Sequence, residues 1–107
     1  MTDCNWEDYG YSRYKPIKCA DGFSMSVQAA PACYCRPRTK SGPYESVEVG
    51  FPSSKEVLLM PFAEDPKIPT QTVYGWVPAQ TIREIIRKHG GAVAGELPPL
   101  KEEGEER

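Results

Sequence analysis

Residues 22–29 (GFSMSVQA) alternate between apolar and polar, with Phe23, Met25, Val27 and Ala29 on one side and Ser24, Ser26 and Gln28 on the other. A period of two sends neighbouring side chains to opposite faces of an extended chain, so this segment is expected to be a half-buried strand. Asp21-Gly22 before it reads as a turn. Residues 44–51 (YESVEVGF) repeat the pattern: Val47, Val49 and Phe51 oppose Ser46 and Glu48, and Pro52 ends the run. In TVYGWV at 72–77, β-branched and aromatic residues occupy both faces, which predicts a central strand covered on both sides. VLLMPF at 57–62 is too short for periodicity to separate a strand from a buried turn of helix.

The pattern changes period at residues 78–89 (PAQTIREIIRKH). Ala79, Ile82, Ile85, Ile86 and His89 share one helical face, Pro78 suits the first helical position, and Gly90-Gly91 closes the element. Arg87, Lys88 and His89 complement the negative end of the helix dipole. Strands followed by one helix predict an α+β fold: a small two-layer domain, with a three- to four-stranded antiparallel sheet and one C-terminal helix packed on it. One short helix covers one face of such a sheet only in part. The other face calls for a cover, either the N-terminal arm, a second copy of the chain in a homodimer, or another protein.

Three segments follow from this reading. Residues 1–20 form an aromatic-rich N-terminal arm with Trp6, Tyr9, Tyr11 and Tyr14 but few aliphatics; residues 21–91 form the core domain; residues 92–107, with Pro98-Pro99 and an EEGEER end, form an acidic tail expected to be disordered. Composition agrees. The chain has 107 residues, of which 9 are Gly and 11 Pro, well above their usual combined share of about 12%, so a helical bundle or coiled coil is excluded. The formal charge of −2 is concentrated in the tail, where Glu96, Glu102, Glu103, Glu105 and Glu106 outnumber Lys101 and Arg107. The body is near neutral and carries no field to steer nucleic acid or an anionic membrane. No apolar run of about 18 residues and no basic-then-apolar leader appear in the sequence. The expectation is a cytoplasmic protein that engages neither membrane nor nucleic acid, with reduced cysteines.

Cysteines stand at positions 4, 19, 33 and 35. Cys33-x-Cys35 on an extended backbone would put two thiolates on one side, and with Cys4 and Cys19 nearby a tetrahedral zinc site is chemically feasible. The spacing does not favour it: zinc modules use two close pairs separated by about two to four residues, whereas 14 residues separate Cys4 from Cys19. A labile bridge such as Cys4–Cys19 is a second reading, and ordinary buried thiols, with no cofactor, are the default. His89 is the only histidine and reads as a helix-end residue. A Cys–His pair would need Cys33 or Cys35 to meet it in space. No nucleophile elbow, phosphate loop or zinc-protease motif is present, and a non-enzymatic role is expected.

Contact surfaces are the better candidates. In an extended segment Arg36, Arg38 and Lys40 would project to one side as a row of cations able to grip carboxylates or phosphates. Tyr34 and Tyr44 flank that row, and Trp6, Tyr9 and Tyr11 in the arm supply amphipathic rings suited to a partner.

The runs GFSMSVQAAPACYCRPR, GPYESVEVGFPS, MPFAEDP and TVYGWVPAQTIREIIRKHGG, covering about residues 21–91, resemble small accessory proteins carried by bacteriophages and prophages. The resemblance brings no catalytic motif. It implies inhibition of a host factor, of the anti-CRISPR or other counter-defence type, by occupying a protein surface, mimicking DNA or sequestering a nucleotide-type ligand. A near-neutral body disfavours DNA mimicry. The expectation is therefore a small inhibitor that binds a host protein, with a zinc-stabilised adaptor module as the alternative.

Overall fold

The computed structural model describes residues 14–102. Five strands, β1 (Ile17–Cys19), β2 (Ser24–Gln28), β3 (Ser46–Gly50), β4 (Val73–Pro78) and β5 (Ala92–Ala94), and one helix, α1 (Ala79–Lys88), follow one another along the chain. They form one sheet in the order β4-β3-β2-β1-β5, with every pairing antiparallel. The α+β architecture is as expected, with five strands in place of the three or four anticipated. The extra pairing comes from the flanks: β1 lies in the segment read as an arm, and β5 in the segment read as a disordered tail. Beyond β5 the chain stays attached. Tyr44 N–H donates to Pro99 O at 2.8 Å, Lys101 N–H donates to Tyr44 O at 2.9 Å, and Leu100 packs on the core. The first thirteen residues, including Cys4, Trp6, Tyr9 and Tyr11, and residues 103–107 lie outside the described residues.

The predicted alternation in β2 and β3 is present. Pairing of Val27 with Val49 and of Gln28 with Glu48 puts the valines on one face and the amide and carboxylate on the other. Val27, Val47, Val49 and Val77 join Ile82 and Ile85 of α1 and Leu59 in one buried cluster, each large side chain contributing about 1.5–3 kcal/mol. The polar face is also buried, contrary to the half-exposed strands expected. Gln28 clasps the backbone of Tyr14, accepting from its N–H at 3.1 Å and donating to its carbonyl at 2.7 Å, and Glu48 accepts the N–H of Tyr34 at 2.8 Å. Chain segments at 14 and 30–36 thus cover much of the face that called for a cover, and they bond the Gln28 amide and one carboxylate oxygen of Glu48.

β4 sits at an edge of the sheet, not at its centre. Its apolar residues on both faces have a local cause: between the pairs Val47↔Val77 and Val49↔Tyr74 two residues, Gly75 and Trp76, oppose the single Glu48. This is a β-bulge, which re-aims side chains and twists the strand. Its outer edge is not bare, since Trp76 N–H donates to Tyr34 O and Ala63 bridges to Tyr74. Phe51, expected on the apolar face, is 51% exposed with φ 51° because the chain turns out of β3 there. The 57–62 run resolves into a 3-10 turn at Met60–Phe62. None of the described helices is long and apolar enough to cross a membrane.

Candidate functional site

The bulge and the loop before β3 build one surface together. The chain turns at Ala30–Cys33 and again at Cys33–Cys35, and Arg36 is then sewn onto the start of β3. Its N–H donates to Ser46 O at 3.1 Å, and its carbonyl accepts from Glu45 N–H at 2.8 Å. These bonds bring Tyr34 over Gly75 and Trp76. The Tyr34 and Trp76 rings stack with centroids 4.7 Å apart and planes 18° apart. Gly75 makes room for this contact, because a Cβ there would meet the Tyr34 side chain at 3.2 Å. Trp76 itself has φ 52°, a left-handed conformation that is an outlier for a bulky residue and costs about 1–3 kcal/mol. It is also 46% exposed.

Beside this pair lies an open recess of about 460 Å³, lined by Arg36, Glu45, Ser46, Trp76, Pro78 and Gln80. Trp76 and Pro78 give it an apolar wall. Arg36 is exposed and makes no ion pair among the described residues, whereas Glu45 is held by Lys101 at 3.2 Å. Gln80 contributes an amide whose Oε1 is buried with no hydrogen-bond partner in the described residues.

The cation row survives only at Arg36. Residues 36–43 do not stay extended: Gly42 N–H returns to Thr39 Oγ1 at 3.2 Å, and Arg38 Nε donates to Pro31 O at 3.0 Å. Arg38 and Lys40 are exposed on the loop but do not line the recess. Tyr44 is no contact residue. It is 0% exposed, and its hydroxyl donates to Thr39 O at 2.6 Å, so it supports the loop from beneath. Tyr34 is half-buried and stacked on Trp76, and it does not line the recess. Trp76, the centre of the arrangement, was not singled out by sequence reasoning; a glycine inside a strand pattern, here Gly75, is the signal for a bulge or close approach that pointed to it.

Cys19, Cys33 and Cys35 are all buried in the hydrophobic core. Cys33 is disulfide-bonded, so the expected reduced state does not hold there. Cys19 and Cys35 are free and buried. Burial pushes both thiols above their usual value, and at Cys35 it outweighs the hydrogen bond to Ala30 O, 3.2 Å away. A thiol so placed is a poor nucleophile at neutral pH. Among the described residues no group of three or more His, Cys, Asp or Glu is arranged to hold a metal ion.

His89 forms a second cluster, at the C-terminal end of α1 as expected. Its Nδ1 lies 2.6 Å from Asp21 Oδ2 and its Nε2 2.6 Å from Glu56 Oε1, and its ring stacks on Phe23. Burial pulls the imidazole pKa down. The hydrogen bonds to Glu56 and Asp21 and the charges of both carboxylates outweigh that pull, and the net shift is upward. With both ring nitrogens donating to carboxylates, His89 is an imidazolium clamp with no site left to accept a proton. It joins α1, the β1–β2 turn and the 53–58 loop.

Comparison of the chain with protein-family models, curated proteins and solved structures finds no match.

Proposed function

We propose that this chain is a small non-enzymatic binding protein that occupies the surface of a host protein through the Tyr34–Trp76 pair and the recess beside it. One observation carries the reading. The largest side chain of β4 stands half out of water on a strained backbone and is braced from below by a second aromatic ring. Natural folds bury indoles for stability, and strain at an exposed residue directs attention to function. A braced ring also loses little freedom on binding, which favours affinity. Trp, Tyr and Arg are the residue types that dominate contact energies, and Trp76, Tyr34 and Arg36 meet here. The bacterial host target and the inhibitory, counter-defence role are proposed from the sequence reading of residues 21–91 alone.

The test is paired affinity capture from bacterial lysate with the wild-type chain and Trp76→Ala, both verified as folded by circular dichroism. The wild type is expected to retain one component stoichiometrically, and Trp76→Ala to lose at least about tenfold of it, as for a contact worth ~2 kcal/mol or more. Equal retention by both proteins, or retention of nothing, contradicts the reading.

A further inference from the structure

We infer that the recess takes an extended protein segment carrying a carboxylate next to a proline or aromatic side chain. This rests on the binding-protein reading above and adds the chemistry of the partner. Two features of the lining converge on it.

Arg36 supplies one guanidinium at the rim without an ion-pair partner among the described residues, and its backbone is fixed by the bonds to Ser46 and Glu45. Glu45, the only acid in the lining among the described residues, is matched by Lys101. The recess therefore offers one uncompensated positive charge, which complements a single carboxylate in a planar two-point contact. Phosphate groups call for clusters of arginine, and a nucleic-acid strand for cations at several successive phosphates. Among the described residues Arg36 is the only cation lining the recess, so a protein carboxylate fits best.

Trp76 and Pro78 form the apolar wall next to that charge. A flat, rigid indole beside a proline receives proline rings or aromatic side chains, as aromatic-lined grooves receive extended proline-rich peptides. Together these features ask for a carboxylate and a ring within one short stretch, which neighbouring residues of an extended peptide supply.

The experiment is selection of a displayed random-peptide library on the immobilised wild-type chain, followed by affinity measurement on a synthetic copy of the enriched peptide. The probes are that peptide and, separately, adenosine monophosphate. Enriched sequences are expected to place Asp or Glu within about two residues of Pro, Trp, Tyr or Phe. The peptide is expected to bind Arg36→Glu and Trp76→Ala each at least about tenfold more weakly, and Lys40→Glu within about twofold of wild type. Should Trp76→Ala unfold, Trp76→Gly keeps the left-handed backbone accessible and serves in its place.

Binding that ignores Arg36→Glu but needs Trp76 overturns the carboxylate partner and leaves the binding surface standing. Binding insensitive to both overturns the surface as well. Tighter binding of adenosine monophosphate than of any selected peptide assigns the recess to a small ligand and overturns the inference, as does failure to enrich any sequence.

Discussion

His89→Ala is expected to lower the stability of the fold by about 3 kcal/mol at neutral pH and to remove the loss of stability that begins just above pH 6.5. The imidazolium donates to Glu56 and Asp21 at 2.6 Å each, and the Glu56 side chain is only 1% exposed. Without the ring Glu56 keeps Lys88 Nζ at 2.8 Å and the Leu58 N–H at 2.9 Å but loses the donor on its other oxygen. A buried carboxylate oxygen without a donor is among the more expensive defects a fold can carry. His89→Gln, which restores one donor, should recover part of the loss.

The sign of the pH dependence follows from the direction of each shift. His89 has a pKa raised above its ordinary value of 6.5, so its stabilisation is complete below 6.5 and is lost as pH rises through the folded value. At Glu56 burial raises the pKa, but the Lys88 and His89 hydrogen bonds more than offset it and the net shift is downward. Asp21 is lowered by the Phe23 N–H and by His89. Those two contributions are present above the ordinary carboxylate range and are lost as pH falls through the lowered values. Denaturant midpoints measured from acid to alkaline pH should therefore peak between the two ranges for the wild type. For His89→Ala the part of the fall that begins just above 6.5 should vanish, while the fall at higher pH from the buried Cys19, Cys35 and Tyr74, whose pKa values are raised by burial, remains in both proteins. The same fall just above 6.5 in both proteins would show that the clamp is not what links pH to stability there.

Gly95→Ala is expected to cost at least about 2 kcal/mol, because two penalties coincide. Gly95 has φ 106°, and a Cβ there would lie 2.2 Å from Pro16 O and 2.6 Å from Ile17 Cα. Both neighbours are backbone, so no side chain can swing aside. The methyl group must push β5 off β1, against the Lys18↔Ala94 and Cys19↔Ala92 pairing and the bond from Glu96 N–H to Lys15 O. Gly91 is the internal control: its φ of 95° carries a similar conformational cost, but nothing lies within 4 Å of its Cβ position. Chemical denaturation should show Gly95→Ala losing clearly more than Gly91→Ala. Equal losses would mean that β5 is not held closely against β1.

What the sequence made legible was the strong local pattern. Val27, Val47 and Val49 alternate, and Ala79, Ile82 and Ile85 recur at helical spacing, so β2, β3 and α1 stand where periodicity puts them. β1 and β5 have three residues each, too few to display a period, and they gain their place only through the antiparallel ladder. β4 looked central because its apolar residues fall on both faces, and the bulge at Gly75 and Trp76 that causes this is a property of pairing with β3. Of the candidate site, Arg36 and Tyr34 were legible as a cation and an aromatic beside a loop. That Arg38 turns to Pro31, that Tyr44 is core and that Trp76 completes the surface depend on how residues 30–44 fold back over the sheet. The His89 clamp was out of reach for the same reason, since Asp21 and Glu56 are 68 and 33 residues away in sequence.

Several apolar side chains other than Trp76 also meet solvent, among them Ile68 at 42% and Val93 at 68% exposed, so a contact surface elsewhere on the fold is a definite physical alternative. Hydroxyl-radical footprinting of the chain, alone and in complex with the component it captures, separates them most directly. Protection centred on Trp76, Tyr34 and Pro78, with Val93 and Ile68 oxidised equally in both states, is the predicted result. Unchanged oxidation of Trp76 with protection confined to Val93 and Leu97 would place the interface on the β5 edge and contradict the account.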